Sequence, residues 1–443
     1  MRAPLSLWLY GVLTHWAQPL LRRKLQRRAK AEPLYGQFVE ERFGHYTEAA
    51  HHDWIWVHAV SLGETRTAGI LIKALRENFP GMKLLLTHGT ATGREEGQKL
   101  LQEGDLQVWQ PWDSPHVVAR FFKAFKPRLG LIMETEVWPH WVHQAKLHNV
   151  PLVLVNARMS DKSMRQALRW PSLMCPAYAG LRAVLPQTQD DAHRLTQLGA
   201  HVPCVLGNLK FDAKPDASQM NVAQHWRSQL SRPVLMLASS REGEELRWLD
   251  AWQHHCQTHA SPPVQWLIVP RHPQRVNEVE QLIQSRGFQV ARRSSWGLDG
   301  PVHLTPSGSE NSDVPCVWLG DSLGEMALYY SLADAALLGG SFEKLGGQNL
   351  IEAAACGCPV VMGPHTFNFT EAAQAAEDAD AALRAADMQQ AVEKAVALVL
   401  DDRQHSYHAE KAQWFAQQHG GATQRTVLAV REQLNQIKDS KAR

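Results

Sequence analysis

Short apolar runs recur along the chain, each followed by a segment of helical character. In the first half they are WIWVHAV from Trp54, KLLLTHG from Lys83, LGLIMET from Leu129, VPLVLVNA from Val150 and RAVLPQT from Arg182. In the second half they are PVLMLASS from Pro233, VQWLIVP from Val264, CVWLGD from Cys316, DAALLGG from Asp334 and CPVVMG from Cys358. A continuous apolar run of this length suits a strand buried on both faces. Such strands alternating with helices predict an α/β fold of parallel sheets covered on both sides. Between the two sets, VLGNLKFDAKPDAS (residues 205–218) carries Gly, Pro and Asp without periodicity and reads as a connector. The expectation is two doubly wound, Rossmann-like domains, residues 31–206 and 219–443, joined by residues 207–218 and facing a central cleft.

The N-terminus breaks this rhythm. LSLWLYGVLTHWAQPLL, residues 5–21, is apolar enough to enter a bilayer, and RRKLQRRAK follows it. A signal peptide carries its charge before the apolar run and a small-residue cleavage site after it, and this segment has neither. Residues 1–30 are therefore expected to be a membrane-anchor helix with a basic stretch. Arg22, Arg23, Lys24, Arg27, Arg28 and Lys30 keep the body of the protein on the cytoplasmic face by the positive-inside rule. Two readings stay open: a span at the lower limit of length, and an in-plane helix on anionic phospholipid, which His15 and Gln18 favour.

Composition narrows the partners. The 443 residues are one-fifth charged with a formal net charge of +2, so no global field points to nucleic acid. No obligate protein partner is evident. The six cysteines are scattered, with a single C-x-C and no C-x-x-C, and read as free thiols in a reducing compartment. His140-x-x-His143 lacks companion ligands, and no metal is assigned.

Two stretches carry candidate chemistry. In GGSFEKLGGQNLIEAAACGCPVVMGPH, residues 339–365, glycines 339, 340, 346 and 347 let backbone approach a ligand, and a helix is expected from about Gln348. Asn349 and Glu352 share a face of its first turn, where a carboxylate accepts ribose hydroxyls or merely decorates a helix start. In HAVSLGET, residues 58–65, Ser61 and Glu64 lie at a strand-to-helix junction, where open α/β sheets bind ligands. The same pair fits a capping box, a structural use contributing about 1 kcal/mol.

G-G-x-N-x-x-E at residues 346–352, followed by GCPVVMGPHTFNF, resembles the nucleotide-binding region of GT-B glycosyltransferases. HAVSLGET, METEVWP, NARMSDKS, GNLKFD, VPRHP and GDSLGEM, with the apolar N-terminus, resemble in family order the enzymes that transfer 3-deoxy-D-manno-oct-2-ulosonic acid (Kdo) from CMP-Kdo to the lipid A precursor. The resemblance implies an inverting, metal-independent transferase of inner-core lipopolysaccharide synthesis at the inner membrane, with lipid IVA as acceptor. It implies that Glu64 is the general base. Gly63 and Ser61 then adjoin the acceptor, and His58 either orients it or is a core histidine. Glu134 contacts acceptor, positions the Gly63–Thr65 turn or is structural, and Arg158 and Lys162 are the candidates for acceptor phosphates. The departing CMP phosphate needs cations or amides. Lys210, Ser239, Ser240, Arg271 and His272 are the donor-side candidates. Ser322, Gly324, Glu325 and Met326 are expected on the cytidine side, with Asn349 and Glu352 completing the donor site. A sugar-nucleotide 2-epimerase of the same architecture and a non-catalytic, membrane-bound sugar-nucleotide-binding protein are the competing readings.

Overall fold

The computed structural model describes residues 4–46, 53–259, 263–301 and 315–442. They form two compact units, Met1–Asp212 with Gly420–Arg443, and Ala213–His419. The first contains β1 (Ile55–His58), β2 (Leu84–His88), β3 (Leu106–Trp109), β4 (Leu129–Met133), β5 (Leu152–Ala157) and β6 (Ala183–Pro186), ordered β3-β2-β1-β4-β5-β6. The second contains β7 (Val234–Ser240), β8 (Gln265–Pro270), β9 (Gln289–Arg292), β10 (Cys316–Leu319), β11 (Ala335–Leu338), β12 (Val360–Met362) and β13 (Ala382–Arg384), ordered β13-β12-β11-β7-β8-β10-β9. Every strand pair is parallel.

Burial on both faces explains the apolar runs. In the first unit Trp56, Leu85, Ile132 and Leu154 pack with Phe121, Phe122 and Trp141 on one face. On the other, Val57, Leu86, Leu131 and Val153 pack with Leu71, Ile72 and Leu75 of the helix Leu62–Asn78. Strand order reverses between β1 and β4 in this sheet and between β7 and β11 in the other. Crevices at the carboxyl ends of such strand pairs are where doubly wound folds bind ligands.

Three features differ from expectation. β3, β9 and β13 were not anticipated, and all three are edge strands. QVAR and ALR lack the long apolar run because these edges are buried less, whereas LQVW is largely buried but is only four residues long and interrupted by Gln107. Second, the chain leaves the first unit at Asp212, but residues 219–443 are not one domain. The helix Ala422–Ala442 belongs to the first unit, where Ala422, Val427, Val430 and Leu434 join the cluster around β1 and β4. Asp212 accepts the Gly421 and Thr423 amides, and Arg425 donates to the Leu206 carbonyl at 2.8 Å.

Third, the N-terminal apolar run is not one helix. It divides at Ala17 into α1 (Leu5–Trp16) and α2 (Gln18–Ala29), and no helix among the described residues is long and apolar enough to cross a membrane. Twelve residues extend about 18 Å, against a hydrocarbon core of roughly 30 Å. α1 instead lies on the first unit by its more polar side. Thr14 is buried and its carbonyl accepts Trp112 Nε1 at 2.8 Å, Gly11 faces Pro115 and His140, and Ser6 donates to the Ser172 carbonyl at 2.9 Å.

Candidate active site

In the first unit, β1 runs into the turn Ala59–Ser61, and Ser61 caps the helix that follows, its hydroxyl accepting the Glu64 amide at 3.4 Å. The Glu64 carboxylate folds back over that turn. Oε2 accepts the Val60 amide at 2.8 Å and Oε1 accepts the Ser61 hydroxyl at 3.2 Å. This is a capping box shifted by one residue, since the reciprocal bond goes to Val60 rather than to Ser61. Partial burial pushes the Glu64 carboxyl up to about 7, and nearby Glu134 and Glu136 add to the rise. The Val60 amide and Ser61 hydroxyl oppose it. Capping and proton transfer are thus not exclusive: the bonds that hold the side chain still leave it titrating near neutral pH, where a general base is most effective. Gly63 is exposed, and a Cβ there would meet nothing within 4 Å.

β4 ends beside this turn, across the point where strand order reverses. Glu134 is buried with a left-handed φ of 57°, and Asn156, at the register shift of β5, has a φ of 53°. Non-glycine residues in this region cost about 1–3 kcal/mol each and gather at functional sites. Asn156 Oδ1 accepts the Leu209 amide at 3.0 Å, which draws the GNLKFD segment to the strand ends. Lys210 Nζ then lies 3.4 Å from Glu134 Oε1, and Arg158 Nη1 lies 4.0 Å from Glu134 Oε2. Lys210 was expected on the donor side; the structure pairs it with Glu134 in the first unit. Glu136 accepts Trp138 Nε1 at 2.8 Å, and burial raises its pKa. Lys162 is exposed on the helix Asp161–Ala167, and no hydrogen bond or ion pair among the described residues ties it to Glu134.

His58 is a core histidine. It is fully buried, its Nδ1 lies 2.8 Å from Thr87 Oγ1, and its ring meets Trp141 edge-on at 4.7 Å. Burial, with His88 nearby, pushes its pKa down to about 3, so it stays neutral behind the strand rather than touching acceptor.

In the second unit, Ser239 is the penultimate residue of β7, again left-handed at a φ of 54° and again at a register shift. Ser239 is half-buried, but Ser240 is fully buried and its hydroxyl donates to Glu245 at 2.7 Å, which removes it from the donor-contact set. Gly339 follows β11 and packs so closely that a Cβ would lie 2.3 Å from the Ser239 carbonyl oxygen. Its amide bonds Ala238, the Gly340 amide bonds Glu244, and the Gly347 amide bonds the Gly340 carbonyl. These glycines build the loop on itself, rather than offering those amides to a ligand. Arg271 Nε donates to Gln348 Oε1 at 3.2 Å, and His272 beside it is exposed. Desolvation, with Arg241 and Arg271 nearby, holds His272 below its ordinary pKa. Asn349 Oδ1 accepts the Ile351 amide at 3.1 Å, so the helix starts at Ile351, with the half-buried Glu352 in its first turn.

The turn after β10 is held separately. Ser322 bonds the Glu325 carboxylate and the Tyr329 hydroxyl, and Arg293 Nη2 lies 3.0 Å from Glu325 Oε1. Gly324 is exposed at a φ of 81°, and Met326 begins the helix Met326–Leu332. Among the described residues no group of three or more His, Cys, Asp and Glu is arranged to hold a metal ion.

Residues 37–213 match a family model described as 3-deoxy-D-manno-octulosonic-acid transferase (kdotransferase). A 3-deoxy-D-manno-octulosonic acid transferase of Bordetella pertussis is 42% identical over 437 residues, covering 96% of this chain and 99% of that protein. The chain belongs to the Kdo transferase family. A Haemophilus influenzae Kdo transferase is 30% identical over 403 residues, covering 90% and 91% of the two chains. Among solved structures, a UDP-GlcNAc 2-epimerase of Neisseria meningitidis bound to UDP-GlcNAc matches with a TM-score of 0.55 at 14% identity, covering 85% of this chain and 99% of that one. That likeness extends to the two Rossmann-like domains and carries no chemistry. For this Kdo transferase, sequence reading missed Gln348, Glu244 and Arg293. Each is a polar residue that bonds a candidate from a distant segment, and no local pattern announces such a pairing.

Proposed function

We propose that the chain transfers Kdo from CMP-Kdo to a lipid A precursor, lipid IVA, with inversion at the anomeric carbon and Glu64 as general base. The observation that carries the base assignment is the Glu64 carboxylate at the β1 switch point, held by Val60 and Ser61 and titrating near 7. The acceptor hydroxyl gives its proton to Glu64 as its oxygen bonds the anomeric carbon. The bond from that carbon to the phosphate oxygen breaks, and CMP leaves with the electron pair. Negative charge grows on the phosphate, and Arg271, fixed by Gln348, is the cation best suited to meet it. Ser239, Asn349 and Glu352 surround the donor, while Ser322, Gly324, Glu325 and Met326 take its cytidine side. Arg158 and Lys162 take acceptor phosphates. The reaction is proposed to need no metal, because the fixed Arg271 guanidinium serves the phosphate.

The acceptor is a membrane lipid, and α1 supports a surface-bound enzyme. Leu5, Trp8, Leu9, Val12, Leu13 and Trp16 are exposed at spacings of one or three, a single stripe opposite the face that packs on the first unit, and Leu20 of α2 is exposed as well. Arg23, Lys24, Arg27 and Arg28 are exposed behind it. Such a helix lies in the plane of an anionic leaflet, here the cytoplasmic face of the inner membrane.

Incubating full-length protein with CMP-Kdo and tetra-acylated lipid A precursor tests the whole reading. One CMP should appear for each Kdo joined to lipid, with the number of sugars read by mass spectrometry. CMP release without a Kdo-lipid, or neither product, refutes it. Sedimentation with phosphatidylglycerol vesicles tests the surface reading: Leu13→Glu should release the protein, and unchanged binding would exclude α1 as the contact.

A further inference from the structure

In the second unit strand order reverses between β7 and β11; the turn after β7 begins at Arg241, just past Ser239 in the strand's last residues, and the turn after β11 begins with the Gly339–Gly340 pair. One side chain joins the two turns. Glu244, the first residue of the helix Glu244–Thr258, is fully buried. Its Oε2 accepts the Arg241 amide at 2.9 Å and the Gly340 amide at 2.8 Å, and its Oε1 accepts the Phe342 amide at 3.2 Å. Glu245, equally buried, accepts the Ser240 hydroxyl at 2.7 Å and both terminal nitrogens of Arg275 at 2.8 and 3.2 Å.

A carboxylate in a helix's first turn ordinarily stays in water and serves its own helix. Withdrawing one completely is unfavourable unless its lone pairs are met, and here two of three partners come from a loop almost a hundred residues away. That loop has little conformational preference of its own. Gly340, Gly346 and Gly347 adopt left-handed φ values of 70°, 90° and 76°. It closes on itself where the Gly347 amide meets the Gly340 carbonyl at 2.8 Å, at the residue Glu244 holds. Gln348 and Asn349 come next, one bonded to Arg271 and the other accepting the Ile351 amide.

We propose that Glu244 is a positioning residue of the donor site, fixing the turn after β7 and the loop after β11 as one body so that Ser239, Arg271 and Asn349 meet the donor together. The inference rests on the reading of the second unit as the CMP-Kdo site. The amides of Gly340 and Phe342, engaged by the carboxylate, then do not bind phosphate.

Glu244→Gln keeps the volume but replaces one acceptor oxygen by an NH₂ group, so at least one buried amide faces a donor. In the full-length protein, CMP affinity by calorimetry should fall at least tenfold, with donor KM rising in step and acceptor KM unchanged. Hydrogen exchange of residues 339–349 should quicken while the melting temperature stays within a few degrees. Glu244→Asp keeps the charge with a shorter reach and should fall between, and it decides by the same criteria if the glutamine variant does not fold. CMP affinity and loop exchange within twofold of wild type would overturn the proposal, as would equal losses for donor and acceptor. If wild-type protein fails to bind CMP, the donor reading itself falls, whereas loop exchange still tests the tie between the turns.

Discussion

The two units open their sheets by the same device and fill the opening differently. Asn156 in one and Ser239 in the other are non-glycine residues in left-handed backbone, each at a register shift that interrupts a central strand. In the first unit the space gathers charge: Glu64, Glu134 and Glu136 with Lys210 and Arg158. In the second it is closed by backbone, with Gly339 against the Ser239 carbonyl and Glu244 binding amides from both turns. One site is tuned by electrostatics and should respond to pH and to charge deletion. The other is tuned by shape and should respond to a single methyl group.

The largest effect should come from Glu64. Glu64→Ala is expected to lower kcat by about 10²–10⁴-fold, the usual contribution of a placed general base. The lost cap costs only about 1 kcal/mol, so the protein should remain folded. CMP affinity, which the proposal assigns to the second unit, should stay within twofold. Turnover within a few-fold of wild type would reduce Glu64 to a helix cap. Next, Arg271→Ala should raise donor KM roughly 10–100-fold, as the loss of a hydrogen bond to a charged group of about 1.5–3 kcal/mol implies. An unchanged donor KM would leave the phosphate without its assigned cation.

Glycines sharpen the contrast more finely. Gly339→Ala drives a Cβ to 2.3 Å from the Ser239 oxygen and 2.5 Å from the Ala238 oxygen, both backbone. Stability should drop by about 1–3 kcal/mol, the usual range for overpacking, with about tenfold weaker donor binding. Gly63→Ala has open space and sits in the first helical turn, so thermal stability should hold or rise by up to about 1 kcal/mol. Only acceptor KM should suffer. If both variants melted alike, the shape-against-charge distinction would fail.

Legibility followed burial. Central strands such as β1, β4, β7 and β8 announce themselves because both faces are covered, whereas QVAR and ALR at sheet edges do not. The helix Ala422–Ala442 has a readable apolar stripe, but nothing local says which sheet it covers, and the chain returns to the first unit for it. Glu64 was legible as a junction residue. Of the two readings of His58 the core one holds, because a strand residue near a site can face the core, and Ser240 is withdrawn from the donor because its hydroxyl meets Glu245 five residues on. Glu244 was invisible, since an acid opening a helix is usually solvated.

The pH response separates the units by the smallest effect. Glu64 must be ionised to accept a proton, so kcat/KM should rise with pH and level off above about 7. Its folded pKa lies above the ordinary 4.5, so the fold favours the protonated form. That contribution to stability is whole below pH 4.5 and is lost as pH rises through 7. Glu64→Gln, which still accepts the Val60 amide, should therefore flatten the fall in melting temperature between pH 5 and 8. Lys210 enters through Glu134, 3.4 Å away, whose charge already raises Glu64. Lys210→Met leaves that charge unbalanced and should move the acid limb of kcat/KM upward by about half a unit to one unit, with plateau kcat nearly unchanged. If Lys210 instead served the donor, the same variant would raise donor KM and leave the limb where it was, and the first unit's charge would no longer be self-contained.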